Sequence, residues 1–193
     1  MNFLQNEDIK VIENFLPKKN QKILEETLFG KYFPWYKSID TAPKLEDFKS
    51  KNIFDYSQFV HVFYSFRNNV SKVESDFVEI INSNLLNQLG KYFKLNDLDV
   101  MRIKANLQLH HKKTTKNSFN NPHKDSKLNH ISAIYYVNDS DGDTYFFDNK
   151  YKVIKKVTPK KGKIVIFKGD ILHAGGHPFN FETRAVINCN FLI

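Results

Sequence analysis

The spacing of hydrophobic residues in the first part of the chain predicts a short strand followed by a helix. Residues 8–16 alternate between apolar and polar positions, as a half-buried strand does. Pro17 suits the first turn of a helix, because that turn leaves its N–H groups unpaired and proline has none. The apolar stripe continues through Leu24 and Leu28, and Gly30 is a suitable stop.

A second helix is predicted over residues 71–93. Ser71 and Glu74 have the spacing of a capping box, in which two side chains pair with the free N–H groups of the first helical turn. Apolar residues follow at helical spacing, among them Ile81 and Leu85. We expect this helix to cover one face of a sheet.

The remaining apolar runs are short and alternating, which is typical of strands. Turn residues separate them at Asp141-Gly142 and Lys161-Gly162. The predicted strands are residues 59–66, 98–109, 131–137, 143–147, 151–156, 163–168 and 183–192. Because no helix interrupts the strands after residue 98, the pattern predicts a mainly β fold with N-terminal helices, an antiparallel sandwich or barrel of which the jelly roll is one form.

The length of the chain fits a single domain, residues 1–193, in which residues 1–97 support a core formed by residues 98–193. An irregular stretch from Phe33 to about residue 57 is long enough to serve as a lid or binding loop. Its lone tryptophan, Trp35, is either part of a substrate channel or an anchor in the core.

Composition and charge narrow the class of protein. Hydrophobic residues make up 41% of the chain, which argues against a disordered protein. The single cysteine, Cys189, excludes an intramolecular disulfide, and no apolar run resembles a secretory signal or a membrane span, so we expect a soluble cytoplasmic protein. The net charge of +8 permits a nucleic-acid partner, but the scattered lysines do not alternate with aromatic residues, and nucleic acid is not favoured.

Three residues have the chemistry and spacing of metal ligands. His123 and Asp125 are two positions apart, so on an extended chain both side chains point to the same side. His173 follows an apolar run and is the third candidate, since two histidines and one carboxylate form the facial triad of non-haem Fe(II) oxygenases. His177 is an alternative to His173, and Zn(II) is an alternative to Fe(II).

Arg184 begins an apolar run, where a charge is costly unless an anion pairs with it. Its planar guanidinium group fits the carboxylate of a bound ligand, and the alternative is a structural salt bridge at the rim of a sheet. Asn188 shares the face of Arg184. On the strand before the metal triplet, alternation makes Asn106 and Gln108 further pocket candidates.

Several short motifs follow one another in the C-terminal half of the chain. They are His123-Lys124-Asp125, Ile134-Tyr135-Tyr136-Val137-Asn138, Asp141-Gly142-Asp143-Thr144 with Phe146, Pro159 with Gly162, Phe167, His173 and Arg184. In this order, over residues 100–193, they resemble the Fe(II)/2-oxoglutarate-dependent dioxygenases of the prolyl 4-hydroxylase type. Phe33-Pro34-Trp35 and residues 102–106 look similar to small oxygenases carried by bacteriophages. The sequence departs from the family in the eleven-residue spacing between His173 and Arg184 and in Asp141, where relatives often have glycine.

The resemblance implies a double-stranded β-helix, a jelly-roll or cupin-like fold, with helices packed on one face. It implies that Fe(II) is held by His123, Asp125 and His173. It also implies that Arg184 binds the distal carboxylate of 2-oxoglutarate, supplemented by Tyr136, and that Asn188 supports the co-substrate from the same face. Alternation places Asn106 beside them.

The reaction that the resemblance implies uses Fe(II), O2 and 2-oxoglutarate to hydroxylate a C–H bond, with release of succinate and CO2 and with ascorbate as reductant. We expect a prolyl residue of a peptide or protein as the target, and a monomer or weak homodimer. The alternatives are the same chemistry on nucleic acid and a non-enzymatic, metal-containing jelly-roll binding protein. Asn190 argues against the DNA-repair demethylases, which have a second arginine at this position.

Overall fold

A computed structural model describes residues 8–39, 41–67, 70–95 and 98–193. Within these ranges the strands form two antiparallel sheets. The strands are β1 (Ile9–Ile12), β2 (Tyr36–Ser38), β3 (Gln58–Arg67), β4 (Val70–Val73), β5 (Val100–Leu109), β6 (His130–Tyr136), β7 (Thr144–Phe147), β8 (Val153–Val157), β9 (Ile164–Lys168), β10 (Leu172–Gly175) and β11 (Thr183–Leu192).

The two sheets pack face to face. The larger sheet has the strand order β1-β9-β6-β11-β5-β3-β2, with β4 paired to β3, and the smaller sheet has the order β10-β7-β8. Single bridges join Phe119 to Gly176 and His123 to His173, so the segment before Asp125 extends the smaller sheet beside β10. This arrangement is a double-stranded β-helix, and the predicted fold class is confirmed.

The central strands are buried on both faces, because helices cover one side and the smaller sheet covers the other. On β6, Tyr135 belongs to the core under the helices, whereas Tyr136 packs with Phe146 of the smaller sheet. The same alternation runs along β11, where Ile187 faces the helices and Val186 faces the smaller sheet. Polar residues on the inner face therefore point into the space between the sheets.

The helices are α1 (Lys18–Leu28), α2 (Val78–Ile81), a π-helical turn (Asn82–Leu86) and α3 (Asn87–Phe93). They pack on one face of the larger sheet, as predicted, through the fully buried Leu24, Leu28, Ile81, Leu85 and Leu89. In the described part of the chain, no helix has the length and apolar character that a bilayer span requires.

The predicted start of the second helix at Ser71 is wrong. Residues 70–73 form β4, which pairs with β3 in the register Tyr64 to Val73, and the helix begins only at Val78. The Glu74 carboxylate accepts hydrogen bonds from Ser65 Oγ at 2.8 Å and from Lys72 Nζ at 2.6 Å instead of closing a capping box. Pairing with a neighbouring strand thus overrides a local helix signal.

Trp35 is a core anchor. Its indole Nε1 donates a hydrogen bond to Leu28 O at 3.0 Å, and its ring packs edge-on against Phe33 at 5.0 Å between centroids. Both contacts lie in the core under the helices. The alternative of a channel residue is therefore not favoured.

Gly162 supports the predicted turn before β9 with a φ of 84°, a left-handed conformation that favours glycine. A Cβ there would lie 2.5 Å from the Gln21 side chain. We expect Gly162→Ala to lower the free energy of unfolding by about 2 kcal/mol, measured by urea denaturation. The exposed Lys160→Ala is the control in the same turn, and equal midpoints for both variants would contradict this account.

Candidate metal centre and adjoining cavity

The side chains of His123, Asp125 and His173 converge on one point. One ligand atom from each lies within 4.8 Å of the others. The distance from His123 Nε2 to Asp125 Oδ1 is 4.0 Å, and that from His173 Nε2 to Asp125 Oδ2 is 3.7 Å. The two histidines are brought together by their backbones, since each N–H donates to the carbonyl oxygen of the other at 2.9 and 3.0 Å. The donor set suits a borderline divalent ion such as Fe(II).

Hydrogen bonds orient both imidazole rings toward that point. Nδ1 of His123 lies 3.1 Å from Asn121 O, and Nδ1 of His173 lies 3.2 Å from Ile171 O. In each case Nδ1–H donates to the carbonyl, which leaves the lone pair of Nε2 for an ion. Burial lowers the pKa of His123 and lowers that of His173 to about 4, so both rings are neutral and able to coordinate.

A row of polar side chains on three adjacent strands holds the Asp125 carboxylate. Asn190 on β11 pairs in register with Arg102 on β5 and with Ser132 on β6. Arg102 Nη2 donates to Oδ1 of Asp125 at 2.5 Å, while Ser132 Oγ and Asn190 Nδ2 each donate to Oδ2 at 2.9 Å. Asn188 Nδ2 adds contacts of 3.1 and 3.2 Å.

This environment keeps Asp125 ionised. Burial by itself would raise the pKa of the carboxyl group, but His173, Arg102, His123 and the Asn188 amide together hold the pKa well below its ordinary value. A carboxylate with both oxygens oriented by donors is a preorganised anionic ligand.

The second cluster surrounds Arg184, whose guanidinium group is buried. Nε donates to Gly142 O at 2.7 Å, Nη2 to Thr144 Oγ1 at 2.8 Å and Nη1 to Gln108 Oε1 at 3.1 Å. These acceptors are neutral, and no carboxylate of the described residues forms a salt bridge with Arg184. The alternative of a structural salt bridge is therefore not favoured. A buried cation without a counter-ion calls for an anionic ligand.

The Tyr136 hydroxyl acts on this cluster through Thr144 rather than through a hydrogen bond of its own to Arg184. The Tyr136 hydroxyl donates to Thr144 Oγ1 at 2.7 Å, and the same oxygen accepts from Arg184. With both acceptor positions of Thr144 used, its own O–H is free to donate to a ligand. The Tyr136 ring also lies under the guanidinium group, 5.9 Å from Cζ to the ring centroid.

A cavity of about 60 Å³ connects the two clusters, and His123, Asp125, His173, Thr144 and Arg184 all line it. Asn106 and Asn120 also line it, and the buried Oδ1 atoms of both have no hydrogen-bond partner among the described residues. Gly175 leaves space in the cavity beside Arg184, because a Cβ at this position would come within 3.2 Å of Arg184 Nη1. The residues thus fit an ion at one end and a carboxylate at the other.

The sequence of the cavity-forming half matches a known family. Residues 105–192 match the model of the 2OG-Fe(II) oxygenase superfamily. Over these residues, somewhat less than half of the chain, the sequence is similar to this superfamily. The match indicates the class of the 2-oxoglutarate- and Fe(II)-dependent dioxygenases. No curated protein matches the chain in sequence.

Solved structures share the fold of this chain at low sequence identity. One is an oxidoreductase of the 2OG-Fe(II) oxygenase family from Burkholderia pseudomallei, with a TM-score of 0.72, 10% identity, and 98% of this chain and 87% of that chain covered. A second is a Trichoplax adhaerens prolyl hydroxylase in complex with a hypoxia inducible factor peptide, at TM-score 0.59, 12% identity and 99% and 86% coverage. A third is a Pseudomonas putida prolyl-4-hydroxylase, at TM-score 0.56, 14% identity and 99% and 95% coverage.

Two other histidines of the chain have different partners. His177 Nε2 lies 2.6 Å from Phe54 O, so its ring is engaged outside the three-residue cluster, and the alternative that replaces His173 with His177 is not favoured. His61 is a core histidine, with Pro34 O at 2.7 Å and Ser75 Oγ at 2.8 Å.

The N-terminal half of the chain reaches the cavity through the irregular stretch before β3. Asn121 Nδ2 donates to Asp55 Oδ2 at 2.8 Å and to Ala42 O at 3.1 Å, and Thr41 donates to the same Asp55 carboxylate. Thr41 and Gln58 line the cavity. The segment that precedes His123 is thereby tied to this loop.

Sequence reasoning alone missed four residues that matter for this geometry. Arg102, Ser132 and Thr144 appeared only inside strands or motifs, and Asn190 only as a residue that is not arginine. A polar residue on the inner face of a buried strand is the available signal, but the strand register is needed to show that three of them meet at Asp125.

Proposed function

We propose that His123, Asp125 and His173 hold Fe(II), that Arg184 binds the distal carboxylate of 2-oxoglutarate, and that the enzyme hydroxylates a C–H bond of its substrate. One observation carries the assignment of the pocket. The buried Arg184 has no carboxylate partner among the described residues and shares a cavity with the three metal-binding candidates. Fe(II) with O2 and 2-oxoglutarate supplies the oxidising power, and 2-oxoglutarate leaves as succinate and CO2.

The protein contributes positioning and a shielded site. Arg184 and the Thr144 hydroxyl fix the far end of the co-substrate, and Tyr136 orients Thr144. Asn106 lines the cavity, where its side-chain N–H2 group can donate to the co-substrate, while Asn188 contributes mainly by holding Asp125. In this proposal the residues up to 97 support the core formed by residues 98–193, and Thr41 belongs to a lid over the cavity.

A peptide or protein with a prolyl target is the substrate class that we favour. A groove of about 990 Å³ runs along the surface and reaches His123 and Asp125, which is room for an extended peptide segment. The Trichoplax adhaerens prolyl hydroxylase, which shares the fold, holds a peptide fragment in its solved structure. Ascorbate as reductant and a monomer or weak homodimer belong to the same proposal.

Calorimetry tests the co-substrate assignment before any substrate is known. The protein with Mn(II) should bind 2-oxoglutarate, and the metal-free protein should not bind it. Incubation with Fe(II), ascorbate and 2-oxoglutarate should then yield succinate even without substrate. If the protein shows neither metal-dependent binding of 2-oxoglutarate nor succinate formation, the proposal is wrong.

Arg102→Gln should weaken Mn(II) binding by about 10- to 100-fold, because the Asp125 carboxylate loses its charged donor. Calorimetry without 2-oxoglutarate measures this effect. Arg67→Gln, an exposed arginine at the end of β3, is the matched control and should bind Mn(II) as the unmodified protein does. Equal affinities of the two variants would show that Arg102 has no influence on the metal.

A further inference from the structure

Lys104 is a charged residue of the cavity wall that the proposed mechanism does not use. It lies on β5, paired in register with Asn188 on β11 and with Val62 on β3, and it lines the same cavity as Arg184. Its ammonium group donates to no residue of the described ranges, and no carboxylate there comes within salt-bridge distance.

The surroundings make this position costly for a cation. Burial, together with the charge of Arg102 and against the attraction of Asp125, lowers the pKa of Lys104 to about 8. Arg102 has already committed Nη2 to Asp125 and Nε to Asn190 Oδ1 at 3.0 Å. Arg102 does not line the cavity, whereas Lys104 and Arg184 do. Arg184 donates to three acceptors, and the ammonium group of Lys104 has none among the described residues.

The balance of charges in the cavity indicates which kind of ligand Lys104 binds. When the metal ion and 2-oxoglutarate are bound as proposed above, the charges of the ion and Arg184 are offset by Asp125 and the two carboxylates of the co-substrate. Arg102 and Lys104 then remain as surplus positive charges, and of these two only Lys104 lines the cavity. A single ammonium group matches a singly charged carboxylate, whereas a phosphate binds best with several converging donors.

We propose that Lys104 binds a carboxylate group of the hydroxylation substrate. This proposal rests on the proposed function, because it takes the distal end of 2-oxoglutarate to be held by Arg184. The carboxylate belongs to the main chain of a free or C-terminal residue or to an acidic side chain next to the target. Lys104 would then select substrates with an anionic group close to the reacting carbon.

The test uses the protein loaded with redox-inert Zn(II) and 2-oxoglutarate, and acetate as the probe. The saturation-transfer NMR signal of the acetate methyl group measures its binding in every variant. We expect Lys104→Met to weaken acetate binding about tenfold, because one charged hydrogen bond is lost, while Lys104→Arg stays within about threefold. Lys22→Met removes a lysine whose side chain is 70% exposed and should change nothing.

The affinity for 2-oxoglutarate is measured on the same samples and separates the two proposals. Unmodified protein that binds no 2-oxoglutarate contradicts the proposed function. Normal 2-oxoglutarate binding with no acetate binding, or with equal acetate binding in Lys104→Met, overturns the role of Lys104 alone. A parallel loss of 2-oxoglutarate and acetate in Lys104→Met also overturns it, since Lys104 would then hold the co-substrate. Phosphate binding in preference to acetate would contradict the choice of a carboxylate.

Two further probes identify the source of the carboxylate. Free proline carries it on the main chain, and an N-acetylated glutamate amide carries it on the side chain. Competition of either with acetate supports the proposal and assigns the position of the group. Failure of both to compete, with acetate bound, would show that no substrate-sized carboxylate reaches Lys104 and would overturn the proposal.

Discussion

Asp125→Ala is expected to abolish Mn(II) binding and also to lower the free energy of unfolding of the metal-free protein by about 3 kcal/mol. The carboxylate is 2% exposed and accepts hydrogen bonds from Arg102, Ser132, Asn188 and Asn190. Its removal leaves the partly buried Arg102 guanidinium group without a counter-ion and leaves several amide and hydroxyl donors unpaired. Urea denaturation in the presence of a chelator measures the stability, and calorimetry measures the metal.

His123→Ala is the matched comparison, because it removes a metal ligand whose side chain makes one hydrogen bond, to Asn121 O, instead of the several that Asp125 accepts. The His123 side chain is 28% exposed, and its Nε2 faces the metal site. We expect its stability to change by less than about 1 kcal/mol while metal binding is lost. Equal losses of stability in the two variants would contradict the expectation that the hydrogen bonds to Asp125 stabilise the fold more than the His123 side chain does. From the sequence alone, replacement of any of the three ligands is expected to spare the fold.

The strands could be predicted because a buried strand leaves a clear pattern. The run 183–192 coincides with β11, whose inner and outer residues alternate, and the run 98–109 differs from β5 only at its start. The start of the second helix could not be predicted in this way. Ser71 and Glu74 carry a valid capping signal, but Val70 and Val73 pair with β3, and such pairing depends on residues that no local window contains.

The candidate site likewise has a part that could be predicted from the sequence and a part that could not. The metal ligands could be proposed from a short local spacing and a resemblance, and the structure brings them within reach of one ion. The group that holds Asp125 depends on register between distant strands. Arg102 and Asn190 are 88 positions apart in the chain but adjacent in the sheet. The sequence shows each of them as a polar residue in a strand, but it does not show which residue each one contacts.

Arg184→Met is expected to weaken the metal-dependent binding of 2-oxoglutarate by about 100-fold, because a charge-assisted, two-pronged contact with a carboxylate is lost. Arg184→Lys should lose only about tenfold, since the charge stays while the planar fork is gone. Binding of Mn(II) alone should not change in either variant, because Arg184 donates to none of the three metal-ligand candidates. Calorimetry with and without 2-oxoglutarate measures both quantities.

The stability of the ligand-free Arg184→Met protein provides the internal control. Methionine removes three hydrogen bonds to neutral acceptors, but it also removes a buried charge that has no counter-ion among the described residues. These effects oppose each other, so the loss of stability should be smaller than that of Asp125→Ala, where a counter-ion is taken away from a cation. A large loss of stability with unchanged 2-oxoglutarate affinity would mark Arg184 as a structural residue. We expect the reverse result, in which Arg184→Met binds the co-substrate weakly while the fold stays intact, because the role of Arg184 is then to bind the anionic ligand.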